Sequence, residues 1–180
     1  MKKAGLFFLV VLGAGLTIII LNKNSESDPN FLDEQFSQIV DYIPHRDSIN
    51  PKVSKVDVAW HLDHMLKTVN VICKALEASN PDEYKSNFNL TRTLIYAWGD
   101  FPRGVAKSPR VVRPPDVILT EDLHRQIEMA KENLKVLQGL EANVHFEHPY
   151  FSVLNKKKSI KFLKIHTRHH LKIVRDIVKK

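Results

Sequence analysis

The sequence predicts an all-α protein, an up-and-down bundle of about four helices behind an N-terminal hydrophobic segment. Several segments repeat apolar residues at intervals of three and four, as one face of a helix requires, and none alternates like a half-buried strand. Four of the nine prolines fall between residues 99 and 115, which predicts a long loop between helices. With 180 residues, 43% of them hydrophobic, the chain can form one domain with a substantial core.

The N-terminal segment is predicted to be an uncleaved signal anchor over residues 1–22. Residues 4–21 carry no charge, and as a helix they would span about 27 Å, close to the hydrocarbon thickness of about 30 Å. This stretch exceeds the apolar part of a typical signal peptide, and no small-x-small cleavage site follows it. The alternative is a cleaved signal peptide, which would leave a secreted or periplasmic protein.

A polar linker over residues 23–30 is predicted to join this anchor to a helical domain over residues 31–180. Lys2 and Lys3 precede the apolar segment, and the positive-inside bias keeps such lysines in the cytoplasm. The protein is therefore predicted to cross the membrane once, with its C-terminal domain outside. Lys23, on the other flank, weakens this bias.

The first two helices are predicted from the spacing of apolar residues and from residues that typically start or end a helix. Residues 31–43 have helical spacing, and Pro44 is expected to end that helix. Ser54 is expected to open a long second helix that stops at residues 79–81. Its apolar stripe consists of Val58, Leu62, Met65, Val69, Ile72 and Leu76, with His61, His64 and Thr68 in the same buried arc. Asp63, Lys67, Asn70 and Lys74 fall on the opposite face and are expected to face water.

The rest of the chain predicts one short and two long helices. Residues 87–98 suggest a short helix, and residues 99–115 form a basic loop. Thr120 is a suitable N-cap for a helix that runs to about Leu140. Residues 145–151 are expected to be an aromatic connector, and Asn155 to cap a last helix that reaches the C-terminus.

The last helix carries the most informative pattern. Its apolar seam is expected to consist of Leu163, His166, His170, Ile173 and Ile177. His166 and His170 are four apart, so their rings lie one above the other on one helix face. Two such rings plus a third from a facing helix make a metal site with room for water or substrate. Hydrogen-bonded core histidines without metal are the alternative, and His169 is expected on the flank of the seam.

Three motifs in order resemble the DinB-like proteins, most of all an uncharacterised branch common in bacteria. They are Trp60-His-Leu-Asp-His64-Met-Leu, His148-Pro-x-Phe151-x-x-Leu154 and His166-x-x-His169-His170-Leu. The resemblance covers about residues 31–180 and implies a four-helix bundle whose divalent metal is held by His64, His166 and His170. His61, which a helical wheel places nearer the core, stays an alternative ligand or second-shell residue, as does His169.

The resemblance also implies a chemistry for such a site. Some relatives are metal-dependent transferases that use small thiols, or hydrolases, which would imply an unidentified small-molecule substrate. Zn²⁺ or Ni²⁺ suits imidazole ligands, and such a metal would help a water or thiol lose its proton near neutral pH. The chain departs from the family at Ser152, where glycine is usual, and lacks the glutamine that often follows the paired histidines.

A non-enzymatic metal- or anion-binding protein with a structural or interaction role is the second hypothesis. Residues 156–180 hold ten lysines and arginines against one aspartate, an excess that suits lipid headgroups. Nucleic acid is not expected as a partner, since aromatic and basic residues are not interleaved. A homodimer is left open. The single cysteine, Cys73, is expected to be a buried, inert thiol.

Overall fold

The structure is a computed structural model that describes Asp28 and residues 30–179. It is mostly helical, as predicted, but it also contains a small two-stranded sheet that the sequence pattern did not predict. In chain order the elements are α1 (Asp33–Tyr42), a 3₁₀ turn (Ile43–His45), α2 (Val58–Glu77), a 3₁₀ turn (Pro81–Glu83), α3 (Leu90–Trp98), a 3₁₀ turn (Arg110–Val112), α4 (Thr120–Gly139), β1 (His145–His148), β2 (Ser152–Asn155) and α5 (Lys156–Val178).

Helix α2 lies at the centre of the fold and packs against α4 and α5, while α1 and α3 contact α5. The predicted apolar stripe of α2 is buried throughout, and so are Leu123, Ile127, Ala130, Leu134 and Leu137, which repeat at helical spacing along α4. This agreement follows from geometry, because apolar residues three and four apart form one continuous face that only packing can remove from water. Cys73 is buried on α2, and burial raises the pKa of its thiol to about 12, as expected of an inert cysteine.

The predicted polar face of α2 is not a solvated face. Asp63 is only 2% exposed, and its carboxylate lies 2.6 Å from the Lys67 ammonium and accepts a hydrogen bond from Gln126 of α4. Asn70 is also buried, and its side-chain oxygen accepts a hydrogen bond of 2.8 Å from Asn133. The expectation that Asp63 and Asn70 face water was therefore wrong, because α4 supplies polar partners inside the interface.

Two of the three predicted helix caps differ from the structure. Helix α2 begins at Val58 and is capped by Asp57, whose carboxylate accepts a hydrogen bond from the Trp60 backbone, so Ser54 is not the cap. Thr120 is the first residue of α4, and its hydroxyl accepts a hydrogen bond from Arg46 instead of capping the helix. The third prediction is confirmed, since the Asn155 side chain accepts a hydrogen bond from the Lys158 backbone.

The predicted connector over residues 145–151 forms a β-hairpin with residues 152–155. The strands are antiparallel, with His145 opposite Asn155 and His148 opposite Ser152. Ser152 follows the turn with a φ of 58°, a left-handed conformation that favours glycine. Each strand has only four residues, too few to establish an alternating pattern in the sequence.

Lys156 has a structural role at the start of α5. Its ammonium donates two hydrogen bonds of 2.7 Å, to the carbonyl oxygens of Gln138 and Leu140 at the end of α4. Carbonyl groups at a helix C-terminus lack backbone partners and carry partial negative charge, so a lysine stabilises them. This contact gives one of the basic residues counted over residues 156–180 a partner within the fold.

Within the described part of the chain, no helix combines the length and the apolar character needed to cross a membrane. The predicted anchor over residues 1–22 lies outside the described residues, as does most of the predicted linker over residues 23–30.

Candidate metal centre

Three histidines converge where α2 meets α5. His64 comes from α2, and His166 and His170 come from successive turns of α5. One potential ligand atom from each ring lies within 4.8 Å of the other two. The ring centroids are 4.6 Å apart for His166 and His170, and 4.8 Å and 5.1 Å from the His64 ring. The structure therefore brings together the three residues that the sequence singled out, in a group that could hold a metal ion.

The group lies at the edge of the core. His64 is only 4% exposed, whereas His166 and His170 are partly exposed. Both residues lie on the apolar seam of α5 and were therefore expected to be buried in the core. In the structure they are only partly buried. A metal site with an open coordination position needs access to solvent, and the two α5 histidines are the partly exposed members of this group.

A backbone carbonyl determines the tautomer of His64. Its Nδ1 atom lies 2.8 Å from the carbonyl oxygen of Val112, in the loop before α4. A carbonyl oxygen only accepts, so Nδ1 carries the proton and donates, which leaves the Nε2 lone pair for a ligand. The Trp60 ring stacks on the His64 ring, with centroids 5.0 Å apart and planes at 26°. Together these contacts hold the ring in one orientation.

A chain of three side chains determines the tautomer of His170. The Ser54 hydroxyl lies 3.0 Å from the Val56 carbonyl oxygen and 3.0 Å from Nε2 of His61; in the arrangement in which it donates to the carbonyl, its oxygen accepts from Nε2 of His61. His61 therefore carries its proton on Nε2, and its Nδ1 accepts from Nδ1 of His170, also at 3.0 Å. His170 is left with an unprotonated Nε2. His61 thus stands behind a candidate ligand, in the position that a second-shell residue occupies.

The environment of His166 shows whether this group of residues suits a metal. Its Nδ1 atom is buried and has no hydrogen-bond partner within the described part of the chain. A buried polar atom without a partner is rare and costs roughly 1–3 kcal/mol. The ring is held in place by Phe162, which stacks on it with centroids 5.3 Å apart. An imidazole that is held by apolar packing, has a buried nitrogen without a partner and belongs to a group of three converging histidines fits a divalent metal.

His169 lies beside the group rather than in it. Its Nδ1 atom is 3.0 Å from a carboxylate oxygen of Asp100, and its ring meets the His170 ring edge-on at 5.2 Å. Burial raises the pKa of Asp100, but hydrogen bonds from Lys172, the Phe101 backbone and His169 outweigh it and bring the pKa to about 2. His169 is only 8% exposed, less than a flanking residue would be. Asp100 anchors the start of the long loop to α5.

His61, His166 and His170 are held in the neutral form. Burial lowers the pKa of His61 to about 4, with a further contribution from His64 and His169. Burial and the neighbouring histidines also hold the pKa values of His166 and His170 well below the usual value. The neutral imidazole is the form that binds metal, so the rings need not lose a proton at neutral pH.

His148 provides a pH-dependent contribution to stability outside the three-histidine group. Its Nδ1 atom accepts hydrogen bonds from the backbone of Tyr150 and Phe151, and burial lowers its pKa to about 4. The unfolded chain, with a pKa near 6.5, takes up a proton first as the pH falls. This contribution is therefore complete above about pH 6.5 and is lost between about pH 6.5 and 4.

We expect the free energy of unfolding to fall by about 2 kcal/mol between pH 7 and pH 5 from His148 alone. Denaturant titrations of the full chain at the two pH values measure this loss. A His148→Gln variant should show a smaller decrease, while a variant of the exposed His124, His124→Gln, should keep the native decrease. Stability that is flat or rising towards pH 5 would contradict this assignment.

Three contributors to the site were not predicted from the sequence. The Val112 carbonyl, the Ser54 hydroxyl and the Asp100 carboxylate each act on a histidine of another segment. A backbone carbonyl cannot be recognised in a sequence, and Ser54 resembled a helix cap. Of the three contributors, only Asp100 could have been noticed, because it is the one acidic residue of the basic loop over residues 99–115.

Comparisons with models of known protein families, with curated proteins and with solved structures found no significant match to this chain.

Proposed function

We propose that His64, His166 and His170 hold a divalent metal ion, with Zn²⁺ or Ni²⁺ best suited to three imidazoles. The observation that carries this proposal is that each ring has a nitrogen without a hydrogen-bond partner in the part of the chain that the structure describes. Hydrogen bonds to Val112 and His61 leave an unprotonated nitrogen on each of two histidines, and the third has a buried nitrogen without a partner among the described residues. If these were core histidines without a metal, their ring nitrogens would be expected to form hydrogen bonds with one another or with other groups.

We further propose that the chain is a membrane-anchored member of the DinB-like proteins, an up-and-down four-helix bundle whose domain lies outside the bacterial cytoplasmic membrane. The motifs in the sequence and the convergence of His64 with His166 and His170 support this proposal. The activity proposed is that of a metal-dependent transferase or hydrolase. A bound metal would supply Lewis-acid activation of a water or thiol.

The chain's own residues would position and shield such a reaction. The partly exposed side of His166 and His170 would admit a small molecule, and Trp60 and Phe162 would keep the inner side dry. Asp63 does not serve as a base in this proposal, because its carboxylate is engaged by Lys67 and Gln126. His148 is neutral, and its Nδ1 accepts from the backbone, so its Nε2 carries the proton.

A non-enzymatic metal- or anion-binding protein is the second candidate, and the basic residues of α5 favour it. These residues support anion binding less strongly than their number suggests, because some of them are bound to other groups within the fold. Lys156 binds carbonyl groups of α4, and Lys172 pairs with Asp100 at 2.5 Å. The metal proposal therefore stands first.

Metal content tests the proposal directly. The full chain, purified in mild detergent and loaded with Zn²⁺, is expected to retain about one ion per chain after dialysis. A His166→Ala/His170→Ala variant should retain almost none, while His124→Ala, which removes an exposed histidine of α4, should match the native chain. Equal and substoichiometric metal in all three would refute the site.

Stoichiometric binding would then allow the two candidate functions to be separated. Ester hydrolysis and thiol transfer by the loaded chain, lost in the double variant, would support the enzyme. Tight binding without turnover of either class of substrate would favour the binding protein.

A further inference from the structure

Helix α3 presents a row of apolar side chains to solvent. Leu90, Leu94 and Trp98 are spaced by four residues, so they lie on one face, and each is at least 60% exposed. Phe88, just before the helix, is 79% exposed. Single exposed apolar residues are common on protein surfaces, but an aligned row of large ones indicates a surface that contacts something apolar.

The opposite side of α3 is attached to the domain, so this orientation is stable. The Tyr96 hydroxyl donates a hydrogen bond of 2.7 Å to the Lys158 carbonyl of α5. The buried Arg92 donates to the Phe151 carbonyl and to Asn87, which ties α3 to the hairpin. Rotating α3 to hide its apolar row would break all of these bonds.

The apolar surface continues beyond α3. Val105 and Val111, in the loop over residues 99–115, are also strongly exposed, as is Tyr150 of the hairpin. The Tyr150 carbonyl accepts from Asn89 at the start of α3, and its hydroxyl donates to the Lys107 carbonyl. Helix, loop and hairpin turn therefore form one surface, called here the α3 surface.

Basic residues outnumber acidic ones in the segment that forms the α3 surface. Exposed basic residues in this part of the chain are Lys85, Lys107, Arg110 and Arg113, together with Arg103, which is paired with Asp176 of α5. The one acidic residue between positions 84 and 113 is Asp100, which is already paired with His169 and Lys172. From α5, the Lys161 ammonium lies over the Tyr96 ring at 5.4 Å, and Arg168 donates to the Gly99 carbonyl.

We propose that the α3 surface lies on an anionic lipid membrane. A row of leucine, phenylalanine and tryptophan bordered by lysine and arginine is the composition of helices that rest in the membrane interface. The apolar row would enter the boundary between headgroups and acyl chains, and the basic rim would meet lipid phosphates. This contact belongs to the domain itself and is separate from the predicted anchor.

The sequence outside the described residues agrees with this occupant. The uncharged segment over residues 4–21 is followed by a linker over residues 23–30, which can reach at most about 28 Å when fully extended. A domain tethered so closely to a bilayer would meet lipid far more often than a soluble protein. An acidic protein partner would match the rim but leave the apolar row without a counterpart.

Fluorescence of the two tryptophans tests the proposal. The full chain is placed in nanodiscs whose phosphatidylglycerol carries brominated acyl chains, which quench nearby indole rings. A Trp60→Phe variant leaves Trp98 as the only probe, and a Trp98→Phe variant leaves Trp60, which stacks on His64 and is not part of the exposed apolar row. Trp98 should be quenched roughly twofold or more relative to Trp60, and less so in phosphatidylcholine or at high salt.

A second pair of variants checks that the surface is responsible. In the Trp60→Phe background, Leu94→Asp should abolish most of the Trp98 quenching, whereas Met129→Asp, at an exposed apolar position of α4, should not. Both positions are exposed, so thermal unfolding should be little changed. Trp98 quenching no greater than that of Trp60 would overturn the proposal. That result includes the case in which a second copy or residues 4–21 cover the surface.

Discussion

Replacing His170 with alanine is expected to weaken Zn²⁺ binding by more than roughly 100-fold, because residues that only support a ligand already contribute about 10–100-fold. The change removes a candidate ligand whose Nε2 lone pair is made available by the hydrogen bond from its Nδ1 to His61. His64→Ala should have an effect of the same size. Competition with a chromophoric chelator, using the full chain in detergent, measures the dissociation constant.

Variants of His61 and Ser54, which are hydrogen-bonded in series to His170, distinguish a metal ligand from a residue that only supports one. His61→Phe should weaken binding by about 10–100-fold, since His170 keeps its place but loses the partner that fixes its tautomer. Ser54→Ala, one step further away, should have a smaller effect in the same direction. His124→Ala should have none. A larger loss from His61→Phe than from His64→Ala would reverse the assignment and make His61 the ligand.

Replacing Asp63 with alanine is expected to lower the free energy of unfolding by about 3 kcal/mol, the range found when one partner of a buried ion pair is removed. Asp63 is 2% exposed and engages both Lys67 and Gln126. Its removal leaves the Gln126 amide without its acceptor inside the interface between α2 and α4. Urea unfolding of the full chain measures the change.

Two control variants make this prediction specific. Asp41→Ala, on an exposed position of α1, should change the free energy of unfolding by no more than about 0.5 kcal/mol. Lys67→Ala should cost less than Asp63→Ala, because the Lys67 side chain is 28% exposed and its partner keeps the bond from Gln126. A loss below about 1 kcal/mol for Asp63→Ala would mean that this pair is no more important than a surface pair.

The helices could be predicted from the sequence because their signals are local. The buried stripes of α2 and α4 are repeats within one segment, and the Asn155 cap acts on a neighbour three residues away. The hairpin was missed because four-residue strands are too short to show a repeat. Ser54 and Thr120 were misread for a different reason. Both have the chemistry of a cap, but their hydroxyl groups bond to distant residues, His61 and Arg46.

The role of each histidine could only partly be predicted. The spacing of His166 and His170 places both on one face of α5 whatever surrounds them. The choice between His61 and His64 could not be made in this way, since both lie in the buried arc of α2 and each is 4% exposed. In the structure, Val112 orients His64 towards the α5 pair, and Ser54 turns His61 into the partner of His170.

The sequence by itself therefore determined the helical class, the buried faces and the pairing of His166 with His170, because all of these depend on the geometry of a single helix. Only the tertiary structure decided that Asp63 is buried, that His64 joins the α5 pair and that His61 stands behind His170. Each of these outcomes depends on a hydrogen-bond partner or a packing surface from another part of the chain. The tautomer of a ring, and hence the nitrogen it offers to a metal, follows from that partner.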